Sequence, residues 1–280
     1  MIATSTIFLF VAEIIIAITT PLVFFAILRF RKLTGYAPFF AGFSVYLVIN
    51  LTIENFVKGL FFAEGETLSN IMKNNVFVSI FFTGLITIIF GEGVKFLVFR
   101  FVLQESRRKH DGLAYGAGFA LIESVALTFM LAFVPVMYAG LINESGPEVF
   151  IQSVENHEMA ISIVEDMQNY TNSGIILTIL TLLISMLAQI GLSMICFYAV
   201  KRKVYKMMGL AVLLDFLSTI PSAMVTSGLI ESKVISVLLT CLFTLLIVYA
   251  AARLFKDFDK SAVYPDIKTF FGIGGRRLGK

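Results

Sequence analysis

Seven stretches of this chain are each long and apolar enough to cross a lipid bilayer. A helix needs about 20 apolar residues to span the hydrocarbon core, and the seven stretches cover residues 4–28, 37–62, 75–101, 113–140, 174–200, 207–228 and 234–254. Charged residues make up only 15% of the chain, against about 25% in soluble proteins. The sequence therefore excludes a soluble fold and predicts an all-α polytopic membrane protein, with a single membrane domain over residues 1–255.

The basic residues gather on one side of this arrangement. Of the 22 Lys and Arg residues, 18 follow the first, third, fifth and seventh stretches, whereas the loop 141–173 on the opposite side has several carboxylates and no Lys or Arg. Because short basic loops stay in the cytoplasm, we expect the amino terminus outside, the carboxyl terminus inside and a basic cytoplasmic tail at residues 256–280. We also expect the bilayer to be a bacterial cytoplasmic membrane.

Two segments outside the central spans have alternative interpretations. The first stretch lacks a basic start and is followed by Arg29, Arg31 and Lys32, which favours an uncleaved anchor over a signal peptide. The extracytoplasmic loop 141–173 places Phe150 and Val164 at near-helical spacing among carboxylates, which indicates a helix on the outer membrane surface. That helix is either a functional lid or a passive surface element.

Several polar side chains fall well inside the predicted spans. A charge near the bilayer centre costs about 2.5–3.5 kcal/mol, so each one calls for a partner. With a rise of about 1.5 Å per residue, four polar residues from four spans lie roughly 12–16 Å from the cytoplasmic ends of their helices; these are Glu92, Glu123, Gln189 and Asp215. Lys95, three residues after Glu92, lies on the same helical face and is expected to neutralise it.

The remaining intramembrane charges are interpreted separately. Glu54 and Lys58 are spaced i, i+4 and are expected to pair with each other near the outer end of the second span. Glu13, alone near the middle of the first span, has no predicted partner.

The polar layer is either a hydrated functional cavity or a hydrogen-bonded network that only holds helices together. Such contacts contribute about 0.6–2 kcal/mol each in membranes. The spacing of Gly112 and Gly116 allows a neighbouring helix to approach closely in either case.

The available residue types restrict the chemistry. The two histidines, His110 and His157, lie outside the polar layer, so neither a zinc centre nor serine–histidine catalysis is expected, and no metal or cofactor is predicted. Carboxylate general-base chemistry remains, with Glu92 or Glu123 polarising a water and Lys95 or Gln189 steadying the oxyanion. The sequence has no P-loop, no dinucleotide fingerprint and no basic domain for nucleic acid.

Four segments in order resemble the motifs of the YhfC family of intramembrane proteases, distant relatives of the CAAX-processing and PrsW-like glutamic-type proteases. They are FGEGVKFLVFR at 90–100, YGAGFALIES at 115–124, QIGLS at 189–193 and AVLLDF at 211–216. They are similar to the Glu-Glu-x-x-Arg, Gly-x-Gly-His-x-x-x-Glu, His-x-x-x-Ser and His-x-x-x-Asp segments of that family. The resemblance covers about residues 75–220 and implies a protease-like membrane scaffold.

The departures from these motifs are systematic. The resemblance implies a first glutamate at Gly91, an arginine at Lys95 and histidines, metal-binding or proton-handling, at Phe119, Gln189 and Ala211. The residues that match the motifs are Glu92, Glu123, Ser193 and Asp215. Because the first glutamate and all three histidines are replaced, we expect that proteolysis has been lost.

Three hypotheses about function follow. The first is a catalytically degenerate scaffold that binds a membrane peptide or a partner membrane protein in an intramembrane cleft. The second is an active intramembrane protease with a rearranged site at Glu92, Lys95, Glu123, Gln189 and Asp215. The third is a transporter or transporter subunit in which the buried carboxylates carry protons or cations.

Overall fold

Seven helices of this computed structural model are long and apolar enough to cross a membrane. The structure describes residues 1–61, 75–226, 228–230 and 232–259, and all of its regular elements are helical. The seven helices are α1 (Thr4–Phe30), α2 (Tyr36–Leu60), α3 (Phe77–Val102), α4 (Lys109–Ser145), α7 (Asn172–Lys201), α8 (Lys206–Val225) and α9 (Lys233–Asp257). Two shorter helices, α5 (Pro147–Ser153) and α6 (His157–Asn169), connect α4 to α7.

The predicted spans and the all-α class are confirmed, with shifts of a few residues at most ends. The fourth span is the longest, because α4 continues beyond its apolar stretch in both directions. An odd number of crossings puts the start of α1 at Thr4 and the end of α9 at Asp257 on opposite faces, called here the amino side and the carboxyl side. Which face is cytoplasmic stays a prediction, and the predicted tail beyond Asp259 lies outside the described residues.

The loop 141–173 is helical, as predicted, and forms α5 and α6, whose apolar side chains pack on the amino-side end of the bundle. Their position on the outer membrane surface stays a prediction. Phe150 and Val164 are buried in a cluster with Phe10 of α1 and Ile142 of α4. The Tyr138 ring lies 6.0 Å from the Phe150 ring, edge to face. The amphipathic pattern thus packs against the protein's own spans.

Helix α7 lies at the centre and packs against α1, α4, α8 and α9. Small residues allow its closest approach: a Cβ on Gly116 of α4 would lie 2.6 Å from the Cα of Ile190. The predicted close approach at Gly112 and Gly116 is therefore confirmed, and the neighbouring helix is α7. This contact sets the position of Gln189, which precedes Ile190, relative to the polar residues of α4.

Four segments within α2, α3 and α4 are π-helical. They are Tyr46–Glu54, Ile89–Gly93, Val98–Val102 and Phe129–Phe133. The last of these comes just before Pro135, whose missing N–H interrupts the regular hydrogen-bond ladder. The first two contain Glu54 and Glu92. Such turns are frequent at functional sites because they rotate individual side chains out of the regular helical register.

Candidate functional site

The ammonium group of Lys95 lies at the centre of the intramembrane polar residues. Its Nζ donates to Glu92 Oε1 at 2.6 Å and to Gln189 Oε1 at 2.7 Å. It also lies 4.5 Å from the centroid of the Phe119 ring, where the electron-rich face of the ring attracts a cation. Glu92 and Lys95 are 0% and 1% exposed, so the predicted ion pair forms out of contact with solvent.

Gln189 extends this arrangement to a second carboxylate. While its Oε1 accepts from Lys95, its Nε2 donates to Glu123 Oε1 at 3.3 Å. An amide can do both at once because it carries an acceptor and two donors. Side chains from α3, α4 and α7 are thereby joined in one chain of hydrogen bonds.

Asp215 of α8 completes the predicted set. It lines the same cavity, of about 170 Å³, as the other four predicted residues. The structure thus brings all five predicted side chains together, although their chemical role stays a prediction.

The cavity is also lined by two residues that the sequence placed near the outer end of the second span, Glu54 and Lys58. Glu54 and Lys58 do pair, at 2.6 Å, but Glu54 is buried and lines the cavity together with the predicted residues. Its other contacts are to Asn50, whose Nδ2 donates at 2.7 Å, and to Thr87, whose hydroxyl donates at 3.0 Å. The spacing of four between Asn50, Glu54 and Lys58 was the available signal, because it puts three polar residues on one helical face.

Cys196 is a further contact that sequence reasoning missed. Its thiol donates to Glu92 Oε2 at 2.7 Å, so both carboxylate oxygens of Glu92 are bonded. Cys196 comes seven residues after Gln189, on the same face of α7. Ser193 is one of the residues that match the family motifs. It lies at the contact with Gly116 and is not among the described residues that line the cavity.

Glu13 does not join this site. It is 1% exposed, and neither of its carboxylate oxygens has a hydrogen-bond partner among the described residues.

These features define an integral membrane protein with a charged, hydrogen-bonded centre buried among its spans. The YhfC intramembrane metalloprotease family matches residues 14–240 of the chain. The chain therefore belongs to this family, as its four motif-like segments indicated. It is 25% identical over 211 residues to the uncharacterized membrane protein YhfC of Bacillus subtilis (strain 168), covering 75% of this chain and 81% of that protein. No solved structure matches it. The family match and the similarity to the Bacillus protein support a bacterial integral membrane protein.

A metalloprotease family implies a metal ion, and the donor set of the described residues does not fit one. No group of three or more His, Cys, Asp or Glu side chains in the described part of the chain is arranged to hold a metal. Two of the three positions where the resemblance implies histidines, Phe119 and Gln189, instead face the Lys95 ammonium. The third, Ala211, is buried in the apolar core. A fixed ammonium repels any divalent ion at this point.

Proposed function

We propose that this protein uses the membrane scaffold of its family to bind a transmembrane segment of another membrane protein, without metal-dependent cleavage of that segment. The observation that carries the proposal is the position of Lys95. Its ammonium neutralises Glu92 and occupies the amide oxygen of Gln189. Glu92 is therefore held as a structural ion pair and is poorly placed to activate water.

An apolar groove beside the polar site supplies a place for such a segment. It has a volume of about 580 Å³ and lies between α3 and α8, where its lining includes Ile88, Ile89, Gly93, Gly209 and Val212. Arg100 and Tyr205 line its carboxyl-side end. From Ile88 to Arg100 the groove follows twelve residues of α3, roughly 18 Å, which is over half of a bilayer's hydrocarbon thickness.

The groove adjoins the polar site through its walls. Gly93 follows Glu92 directly, and Val212 lies one turn before Asp215 on α8. A segment entering sideways from the bilayer would keep its apolar side chains in lipid-like surroundings. Any polar group on it would lie near the carboxylates.

Site-specific cross-linking tests this proposal. A photoreactive benzophenone side chain at Val212 faces the groove, whereas the same group at Leu213, which is 52% exposed, serves as the matched control on the outer surface of α8. We expect a discrete adduct with an intact membrane protein from position 212 and none from position 213. Gly209→Phe should abolish the adduct by filling the groove, since a side chain at Gly209 meets open space.

The outcomes separate binding from cleavage. An adduct that survives Gly209→Phe, or equal cross-linking from positions 212 and 213, would contradict specific binding. Trimmed partner fragments that disappear in Glu123→Gln would favour the second candidate, an active protease. That candidate draws support from Glu123 and Asp215, which line the cavity without an ion pair to a lysine among the described residues.

A further inference from the structure

A second cavity, distinct from the groove, extends from the polar site toward the amino side. It has a volume of about 210 Å³ and is enclosed mainly by α7, α8 and α9. Glu123, Gln189 and Asp215 line its inner end and also line the polar site. Hydroxyl groups dominate the rest of its lining, among them Thr181, Ser218, Thr219, Ser236, Thr240 and Thr244.

The direction of this cavity follows from the position of its hydroxyls along α9. Ser236 is three residues from the amino-side start of α9 at Lys233, and Thr244 is eleven residues from it. At a rise of about 1.5 Å per residue, Ser236 and Thr244 are separated by roughly 12 Å. The cavity therefore runs from near the amino-side surface to the carboxylates.

The hydroxyls present oxygen lone pairs to this space. Ser218 and Thr219 donate their protons to the backbone carbonyls of Asp215 and Phe216, at 2.8 and 2.9 Å. Thr240 donates to the carbonyl of Ser236 at 2.9 Å. Since these donors are used within their own helices, the lining offers acceptors and carboxylates, and its described residues include no Lys or Arg. Such a surface suits water and hard cations.

Thr244 adds a buried hydroxyl without a described protein partner to the lining of this cavity. This residue is only 4% exposed, and its hydroxyl has no partner among the described residues. A buried hydroxyl without a hydrogen bond costs about 1–3 kcal/mol. A polar space of this size has room for several waters, which would satisfy it.

We propose that this cavity is a hydrated passage through which water and small hard cations reach Glu123 and Asp215 from the amino side. The passage is independent of the groove, which opens between α3 and α8. A failure of cross-linking at Val212 would therefore not affect the passage, and a failure of thiol labelling in the passage would not affect binding in the groove.

Cysteine accessibility in sealed membranes tests the passage. The full chain carries Cys241→Ala, while Cys196, which is buried, is kept in every variant. Thr240→Cys places a thiol in the passage, and Leu238→Cys, where Leu238 is 65% exposed on the outer surface of α9, is the matched control. Membrane-impermeant cationic and anionic thiosulfonates are applied separately to each face. Glu144→Cys, at the amino-side end of α4, identifies that face.

We expect Thr240→Cys to react only from the face that labels Glu144→Cys, and Leu238→Cys to stay unlabelled. The carboxylates should make the cationic reagent react about tenfold faster than the anionic one, a preference that Asp215→Asn reduces. Absence of reaction while Glu144→Cys is labelled, or reaction from the opposite face, would overturn the passage. Equal rates for both reagents would overturn its cationic character. Ser236→Cys, nearer the mouth, replaces Thr240→Cys if that variant does not fold.

Discussion

At the scale of single residues, Lys95 determines the character of the site. Its ammonium contacts a carboxylate, an amide oxygen and an aromatic face that come from three different helices. A buried charge of this kind is stable only when its partners are present. Its contribution can therefore be measured by removing one partner at a time.

Lys95→Met is expected to lower the free energy of unfolding by about 3–5 kcal/mol, because it leaves Glu92 charged and unpaired in the protein interior. The double variant Lys95→Met/Glu92→Gln should recover much of this loss, since it removes both charges. Thermal unfolding in mild detergent measures the difference. Lys109→Met, which breaks the solvent-accessible pair with Asp259, is the control and should change stability little. Equal losses in the single and double Lys95 variants would contradict a buried ion pair.

The predicted site residues were accessible from sequence because a charge within an apolar span stands out. Glu54 was assigned to the membrane interface because its partner Lys58 explains the charge locally, although the spacing of four from Asn50 already put a third polar residue on the same face. The π-helical turn at Tyr46–Glu54 changes which residues share a face, and regular helical spacing does not reveal it. The thiol contact of Cys196 was missed because cysteine is ordinary in an apolar helix.

At the scale of helices, the contact between α4 and α7 positions the hydrogen bond between Gln189 and Glu123. The Gly116 position allows this contact, as does Gly112, where a Cβ would lie 2.8 Å from the Cβ of Phe197. The sequence indicated a close approach through the glycine spacing, although not which helix makes it. That choice depends on the packing of the whole bundle.

Gly116→Ala is expected to lower the free energy of unfolding by about 1–3 kcal/mol, because the added methyl group overlaps the backbone of α7. Gly140→Ala is the matched control on the same helix, where an added Cβ meets nothing within 4 Å, and it should leave stability unchanged or slightly raised. Thermal unfolding of both variants in detergent provides the comparison. Similar stability of the two variants would show that α4 and α7 are not tightly packed at Gly116.

At the scale of the whole molecule, the seven spans were predicted from apolar length alone, and a cavity at the polar layer was one of two predicted alternatives. The groove and the second cavity were not predicted. Their walls combine residues from spans that are distant in sequence, such as Gly93 and Gly209. The orientation in the bilayer rests on the distribution of Lys and Arg.

The charge distribution predicts that the carboxyl terminus faces the cytoplasm. A green fluorescent protein fused after Lys280 should therefore fluoresce, whereas alkaline phosphatase fused at the same position should be inactive. The same reporters inserted after Ser145, between α4 and α5, should give the opposite pattern. Reversed results at both positions would contradict the orientation without affecting the helix packing.

We infer that a fixed ammonium, and not a bound metal, neutralises the intramembrane site. The most direct measurement is the zinc content of the purified protein, by mass spectrometry, after incubation with Zn²⁺ and removal of free metal. We predict that the wild-type protein and Glu123→Gln retain the same substoichiometric amount, because Lys95 occupies the centre of the site. A stoichiometric zinc ion in the wild-type protein that Glu123→Gln removes would show instead that a metal occupies the site.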